Sequence, residues 1–317
     1  MKLEGIHHIT AITGDAPGNV DFYARVLGLR LVKKSVNQDD PTVYHLFYGD
    51  DEGSPGNDIT FFEYPGARRG RAGAGMIHTI RWRVASTDAL DFWEKRLSGE
   101  GVEVEREKPV PFLGFADPEG LEHELQVVET SDEPLTAEHP DVPAEFALQG
   151  FQSVGAFAAD PEQSRGFLEN TLGFDAEGET AEQAAGHPAW EVRGGKRGGS
   201  YALDQTDERG VAGAGTVHHV AFASPMDEHE AWHRRVTEAG ASPTPIIDRY
   251  YFRSIYFREP SGVLFEIATI GPGFTADEPL EHLGERLSLP PDYEQLRDRL
   301  EQVLTPLPDP YAARVGK

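Results

Sequence analysis

The sequence repeats itself at an offset of about 140 residues, and this repeat constrains the fold more than any other feature. Residues 72–80 read AGAGMIHTI and align without a gap with residues 212–220, which read AGAGTVHHV. The alignment continues into a predicted helix, where Trp93 falls on Trp232. A chain of this kind is built from copies of one supersecondary unit, each of which needs a neighbour to cover its hydrophobic face.

Two looser copies open at Gly5 and Gly150, which gives four modules. In each, a strand precedes a helix and shorter strands follow it, as hydrophobic periodicity and turn residues indicate. The predicted divisions are four βαβββ modules at 1–64, 76–128, 149–205 and 215–271, and a tail at 272–317 with one short helix. We expect an α+β fold in which the four modules pair into two domains, since 317 residues suit two ordinary cores. Pro65–Gly75 is predicted to be a mobile connector.

Composition excludes several classes of function. The net charge is −25, with 54 acidic against 29 basic residues, so the chain would repel nucleic acid and anionic membrane surfaces. The acid is spread along the chain, which is typical of halophilic proteins. There is no cysteine, so any metal must be held by His, Asp or Glu. No signal peptide and no apolar run of about twenty residues is found, which predicts a cytoplasmic protein.

The opening strands of the modules carry the candidate metal ligands. At equivalent positions they read His7-His8, His78-Thr79, Gln152-Ser153 and His218-His219. Only the first and fourth modules offer a second histidine, so these two should share one site. The closing strands add Glu124 in the second module and Glu266 in the fourth.

Two imidazoles and one carboxylate form a face that holds a divalent metal and leaves coordination positions open for substrate and dioxygen. The repeat therefore predicts His8, His219 and Glu266 as metal ligands. The pair formed by the second and third modules keeps His78 and Glu124 but lacks a second histidine. We interpret that pair as a degenerate, structural copy.

A competing motif lies in the fourth module, where residues 229–233 read HEAWH and match the zinc-protease pattern. The repeat argues against a protease, because His233 aligns with Glu94, which has the character of a surface residue, and no third ligand follows at short spacing.

Four stretches carry a family resemblance: GIHHIT at 5–10, VYHLFY at 43–48 with GSPG at 53–56, VHHVAF at 217–222 and GVLFE at 262–266. With these motifs the chain resembles the vicinal-oxygen-chelate superfamily, and within it the ring-cleaving dioxygenases that act on hydroquinones. The resemblance covers roughly residues 1–275. It implies half-barrel domains made of paired βαβββ modules.

The resemblance also implies a chemistry. It places Fe(II), or Mn(II), on His8, His219 and Glu266, and polar side chains close to the metal at His7, Thr10, His218, Arg249 and Tyr256. The implied substrates are an aromatic diol of the hydroquinone or catechol type and O2, and we expect a homodimer. Two alternatives stay open, a glyoxalase-type isomerase that would use Glu63 as a further ligand, and a binding protein without catalysis.

Overall fold

Fifteen strands and five helices are assigned within residues 1–106, 112–176 and 188–310, which the computed structural model describes. The first module holds β1, α1, β2, β3 and β4, at Ile6–Thr13, Ala16–Val20, Arg30–Asn37, Asp40–Gly49 and Asp58–Glu63. The second holds β5, α2, β6, β7 and β8, at Met76–Val84, Thr87–Gly99, Val104–Glu105, Phe112–Ala116 and Glu122–Val127.

The third module holds β9, α3, β10 and β11, at Phe151–Ala158, Glu162–Gly166, Ala189–Arg193 and Gly198–Gln205. The fourth holds β12, α4, β13, β14 and β15, at Val217–Ser224, His229–Glu238, Ile247–Asp248, Arg253–Arg258 and Leu264–Thr269. Helices α1 and α3 each continue as a π-helical turn, at Asp21–Val26 and Phe167–Leu172. The predicted modules and tail also include 107–111, 177–187 and 311–317, which lie outside the described residues.

The strands form two curled, half-barrel sheets, each shared by modules that are not neighbours in the sequence. The first and fourth modules make an eight-stranded sheet in the order β13-β14-β15-β12-β1-β4-β3-β2. The second and third make a seven-stranded sheet in the order β10-β11-β9-β5-β8-β7-β6. In each sheet the two opening strands pair antiparallel at the centre, β1 with β12 and β5 with β9. The predicted α+β fold, with four modules that pair into two half-barrel domains and with modules one and four in the same domain, is confirmed.

Modules that are neighbours in the sequence are joined through a carboxylate at the turn before the closing strand. Asp117 accepts two backbone N–H groups of its own turn and the hydroxyl of Tyr23, which follows α1, at 3.0 Å. Glu259, at the equivalent repeat position, caps its own turn in the same way and accepts the hydroxyl of Ser164 on α3. Each such joint ties one sheet to the other.

The connector Pro65–Gly75 is hydrogen-bonded along its length, so the prediction of a mobile segment was wrong. Gly70 donates its N–H to the carbonyl of Ala214 at 2.9 Å. The connector runs so close to the backbone of residues 208–214 that a Cβ on Gly73 would lie 2.2 Å from the backbone nitrogen of Gly210. The glycines that suggested flexibility instead permit this contact between backbones.

The tail covers the edge strand β2 and reaches the wall of the candidate site. Its helix α5 spans Arg297–Val303. The ammonium of Lys33, wholly buried on β2, donates to Asp277 at 2.8 Å and also contacts Glu278. The hydroxyl of Tyr251, which lines the site cavity, donates to the same Asp277 at 3.0 Å. The tail thus positions a loop of the site. No helix in the described part of the chain is long and apolar enough to cross a membrane.

Candidate metal centre

Three predicted ligands converge at the middle of the eight-stranded sheet. His8 lies on β1, His219 on the adjacent β12, and Glu266 on β15, the next strand along. The Nε2 atoms of the two imidazoles are 3.3 Å apart, and Glu266 Oε2 lies 3.2 Å from one and 2.9 Å from the other. Within the described residues, this is the single group of three or more His, Asp or Glu side chains close enough to share a metal ion.

The surroundings of Glu266 fit a cation. Its side chain is completely buried, and its Oε1 accepts the hydroxyl of Ser254 at 2.5 Å. Its Oε2 is buried with no donor in hydrogen-bond geometry in the part of the chain that the structure describes. A buried carboxylate oxygen without a donor destabilises the fold. A metal ion between this oxygen and the two imidazoles would remove that cost.

The protonation states also suit metal binding, which requires an ionised carboxylate and neutral imidazoles. Burial opposes ionisation of Glu266, but the neighbouring His8 and His219 hold its pKa well below the usual range. Burial lowers the pKa of His219 in spite of the nearby Glu266. At neutral pH the carboxylate is therefore charged and the His219 imidazole is neutral.

The outer histidine of each pair orients the inner one. His7 Nδ1 lies 2.9 Å from His8 Nδ1, and His218 Nδ1 lies 2.8 Å from His219 Nδ1. Because the inner rings direct Nε2 toward the proposed metal position, their Nδ1–H groups donate to the outer rings. Burial lowers the pKa of His7 to about 3 and that of the more exposed His218 to about 4, so both outer rings are neutral acceptors at pH 7.

Tyr256 and Arg249, which were predicted to lie close to the metal, pack against each other next to His219. The rings of Tyr256 and His219 are 5.5 Å apart, and the Arg249 guanidinium lies 5.5 Å from the centre of the Tyr256 ring. Arg249 is held by an ion pair with Asp39 at 2.9 Å. Burial raises the pKa of Tyr256, so its phenol keeps its proton at neutral pH. The buried Thr10 lies on β1 and hydrogen-bonds Thr60 at 2.8 Å.

A cavity that opens to solvent leads to the two histidines, and eight of the 14 residues that line it carry an aromatic or imidazole ring. It is lined by His8, Ser35, Val36, Asn37, Gln38, Asp39, His45, Phe47, Phe62, His219, Arg249, Tyr251, Phe252 and Tyr256. Ser254, Asp39, Ser35 and His45 were not predicted as site residues, although His45 lies in the stretch VYHLFY that contributes to the family resemblance. His45 and Phe47 alternate along β3, and that period of two was the available signal.

The degenerate copy and the protease motif do not gather metal ligands. In the seven-stranded sheet the guanidinium of Arg81 binds Glu124 at 2.7 Å, so this carboxylate already has a cationic partner. On α4, His229 turns inward to Ser224 and His233 contacts the carbonyl of Thr244 at 3.1 Å. The two histidines of the motif thus have separate partners.

Glu63 does not join the metal group. It ends β4 and accepts a hydrogen bond from Thr305 of the tail at 2.8 Å. Because side chains alternate along a strand, it lies on the opposite face of β4 from Phe62, which lines the cavity.

Comparison with known proteins agrees with this geometry. The glyoxalase/bleomycin resistance protein/dioxygenase superfamily matches residues 5–125 and 150–267. The chain belongs to this superfamily. Each match spans two modules that are adjacent in the sequence, the pairs joined through Asp117 and Glu259.

Curated relatives match over nearly the whole chain, including proteins of Bacillus subtilis and Sphingobium indicum. The protein named "Putative ring-cleaving dioxygenase MhqA" of Bacillus subtilis is 40% identical over 320 residues, covering 97% of this chain and 100% of the relative. The chlorohydroquinone/hydroquinone 1,2-dioxygenase of Sphingobium indicum is 34% identical over 315 residues, covering 94% of this chain and 95% of the relative. A crystal structure of a "putative dioxygenase" from Bacillus subtilis superposes with a TM-score of 0.90 at 40% identity, covering 97% of this chain and 98% of that one.

Proposed function

We propose that this protein is a non-haem Fe(II)- or Mn(II)-dependent dioxygenase that cleaves the ring of a hydroquinone- or catechol-type diol. The observation that carries the proposal is the buried triad of His8, His219 and Glu266 at the end of an aromatic cavity. A relative named as a putative ring-cleaving dioxygenase and one named as a hydroquinone dioxygenase match nearly the full length of the chain.

The donor set fits the metal proposed. Two imidazole nitrogens and one carboxylate oxygen are the ligands of non-haem Fe(II) oxygenases, and the set leaves positions open. When bound, such a metal supplies the redox chemistry that lets dioxygen react with an aromatic ring. The buried Oε2 of Glu266 would gain the partner that it lacks in the described structure.

The protein's own groups bind and orient the diol. The flat, apolar rings of Phe62 and Phe252 line the cavity and exclude water around an aromatic substrate. Tyr256 keeps its phenol proton and donates it as a hydrogen bond to a substrate oxygen near His219. Arg249, held by Asp39, adds positive charge beside that phenol and favours a deprotonated substrate hydroxyl.

The two alternatives have less support. A glyoxalase-type isomerase would need Glu63 at the metal, but that carboxylate binds Thr305 of the tail. A binding protein without catalysis would need no buried carboxylate between two imidazoles, an arrangement that costs free energy unless it holds an ion.

Oxygen uptake tests the proposal. Purified protein is loaded anaerobically with Fe(II) or Mn(II) in high salt and mixed with oxygenated hydroquinone, methylhydroquinone or catechol. We expect uptake of one O2 per diol, a new ultraviolet chromophore, and both atoms of 18O2 in the ring-opened product. His219→Ala should abolish all three signals, whereas His233→Ala, in the protease motif, should keep them. Metal-loaded protein that consumes no O2 with any diol would contradict the proposal.

A further inference from the structure

We propose that His45 and Ser35 form a recognition site for the second hydroxyl of a 1,4-diol, at the end of the cavity away from the metal ligands. This inference rests on the proposed function, because it concerns the substrate of the same site. It assigns the selection between 1,4-diols and 1,2-diols to two residues that form no hydrogen bond with His8 or His219 in the described structure.

The His45 ring presents one free edge to the cavity. Its faces are covered by the rings of Phe47 and Phe62, with centroids at 3.9 and 4.4 Å. Its Nε2 is hydrogen-bonded to Thr60 Oγ1 at 3.0 Å. The side chain is nevertheless partly exposed and lines the cavity. Nδ1 has no protein partner among residues 1–106, 112–176 and 188–310, so this nitrogen is available to a ligand.

Ser35 provides a second unpartnered group at the same place. It is directly opposite His45 in the antiparallel pair of β2 with β3, so the two side chains project from the same face. Ser35 is 2% exposed, and its hydroxyl is buried without a hydrogen-bond partner in the described part of the chain, although it lines the cavity. A buried hydroxyl of this kind costs free energy, which a ligand's polar group would offset.

The His45 imidazole and the Ser35 hydroxyl together suit the hydrogen-bonding capacity of a substrate hydroxyl. Burial holds the pKa of His45 well below its usual range, so its ring is neutral. A neutral imidazole has one donor and one acceptor nitrogen, and a serine hydroxyl serves as either. A substrate hydroxyl can therefore donate to one member of the pair and accept from the other. The link from Thr60 to Thr10 at 2.8 Å fixes the orientation of the ring through the neighbouring strands.

The position of the pair selects the para arrangement. Strand β3 lies two strands from β1, with β4 between them. His45 is paired with Phe62, and Phe62 is paired with Ile12 rather than with His8. His45 is therefore displaced from His8 both across the sheet and along the strands. Phe62 of β4 lies between the two ends and faces the cavity. An aromatic ring held by one hydroxyl at the metal ligands and lying over Phe62 directs its opposite oxygen toward His45 and Ser35. A 1,2-diol places its second hydroxyl back at the metal ligands.

The test compares substrates with and without the distal hydroxyl. Metal-loaded wild type, His45→Phe and Ser35→Ala are titrated anaerobically with hydroquinone and phenol by calorimetry, and kcat/KM is measured for hydroquinone and catechol. Wild type should bind hydroquinone at least about tenfold more tightly than phenol. His45→Phe should bring this ratio close to one and lower kcat/KM for hydroquinone at least about tenfold, with that for catechol within about twofold.

Conservative variants separate the two ring nitrogens. His45→Asn keeps a polar atom near the Nδ1 position and should retain part of the preference for hydroquinone, whereas His45→Gln keeps the contact with Thr60 and should lose it. His78→Phe, in the other sheet, is the matched control and should behave as wild type. Metal stoichiometry shows that each variant is folded, and Ser35→Ala gives the same test with a smaller structural change.

Two results would overturn the inference. One is an equal loss for hydroquinone and catechol in His45→Phe and Ser35→Ala. The other is phenol binding to wild type as tightly as hydroquinone. Either result, obtained with a wild type that cleaves hydroquinone, leaves the dioxygenase proposal standing; a metal-loaded wild type that binds and cleaves no diol would overturn both.

Discussion

Among the residues of the site, Glu266 has the surroundings that most directly indicate a bound metal ion. Its charge is buried, one of its oxygens accepts from Ser254, and the other faces two imidazoles without a proper hydrogen bond. The repeat predicted this carboxylate together with His8 and His219, because the same positions recur in other modules. Ser254 and His45 were not predicted, since nothing at their repeat positions signals a role and their partners lie on other strands.

Ser254 should hold Glu266 in the orientation that a metal requires. Replacement by Ala removes the hydrogen bond to Oε1 and lets the carboxylate turn, which typically lowers metal affinity by about 10- to 100-fold. Anaerobic calorimetry with Mn(II) measures the change. Ser224→Ala is the control, because Ser224 is equally buried but contacts His229 rather than a proposed ligand. Unchanged affinity in Ser254→Ala would show that Glu266 is positioned by other contacts.

At the scale of elements, a buried polar network joins the turn after α1 to strand β8. Trp82 donates to His123 Nδ1 at 3.1 Å, and His123 Nε2 lies 2.9 Å from the hydroxyl of Tyr23, which donates to Asp117. Because Nδ1 accepts, Nε2 carries the proton and the imidazole is neutral. Burial lowers the pKa of His123 to about 3. The network ties the two sheets together and ends on the Asp117 carboxyl group.

This network makes the stability contributed by His123 depend on pH. An unfolded histidine has a pKa of about 6.5, so below that pH His123 is protonated in the unfolded chain. In the folded chain the same imidazole stays neutral down to about pH 3. The free energy of unfolding that depends on His123 therefore falls as the pH falls through this window, by up to about 1.4 kcal/mol per pH unit.

We expect the destabilisation caused by His123→Gln to be about 2 kcal/mol smaller at pH 5 than at pH 7.5. Urea unfolding of both proteins at the two pH values measures it. Asp117 acts in the opposite direction, because burial raises its pKa to about 6, so the folded state gains a proton first as the pH falls. The comparison with His123→Gln removes this contribution, which both proteins share. A cost that does not change with pH would contradict the neutral assignment of His123.

Strands and helices were predictable where hydrophobic periodicity and the repeat agree, as in β12 and α4. The connector was mispredicted because glycines at 70 and 73 look the same in a flexible loop and in a close backbone contact. The contact depends on residues 208–214, about 140 positions away, and no local pattern reports it.

At the scale of the whole molecule, the chain brings its first and fourth modules into one sheet. The distribution of histidine pairs predicted this arrangement, because only those two modules carry a second histidine. The joints at Asp117 and Glu259 hold sequence neighbours across the two sheets, so the sheet pairing and these joints together fix all four modules.

The net charge of −25 should make stability depend on salt. Repulsion among acidic groups opposes the compact state, and it is screened as the Debye length falls from about 30 Å at 0.01 M salt to about 8 Å at 0.15 M. We expect Tm to rise over this range. Sodium and tetramethylammonium chloride should act alike, because screening depends on ionic strength. An unchanged Tm would show that the acidic surface contributes no net repulsion.

The central claim is that ligands from opposite ends of the chain hold one metal ion. Anaerobic titration with Fe(II) or Mn(II), followed by metal analysis of the desalted protein, tests it in wild type, His8→Ala, His219→Ala and the control His233→Ala. We predict one metal per chain in wild type and the control, and loss of tight binding in both ligand variants. Wild-type stoichiometry and affinity in His8→Ala would contradict the account, because the first module would then contribute no ligand.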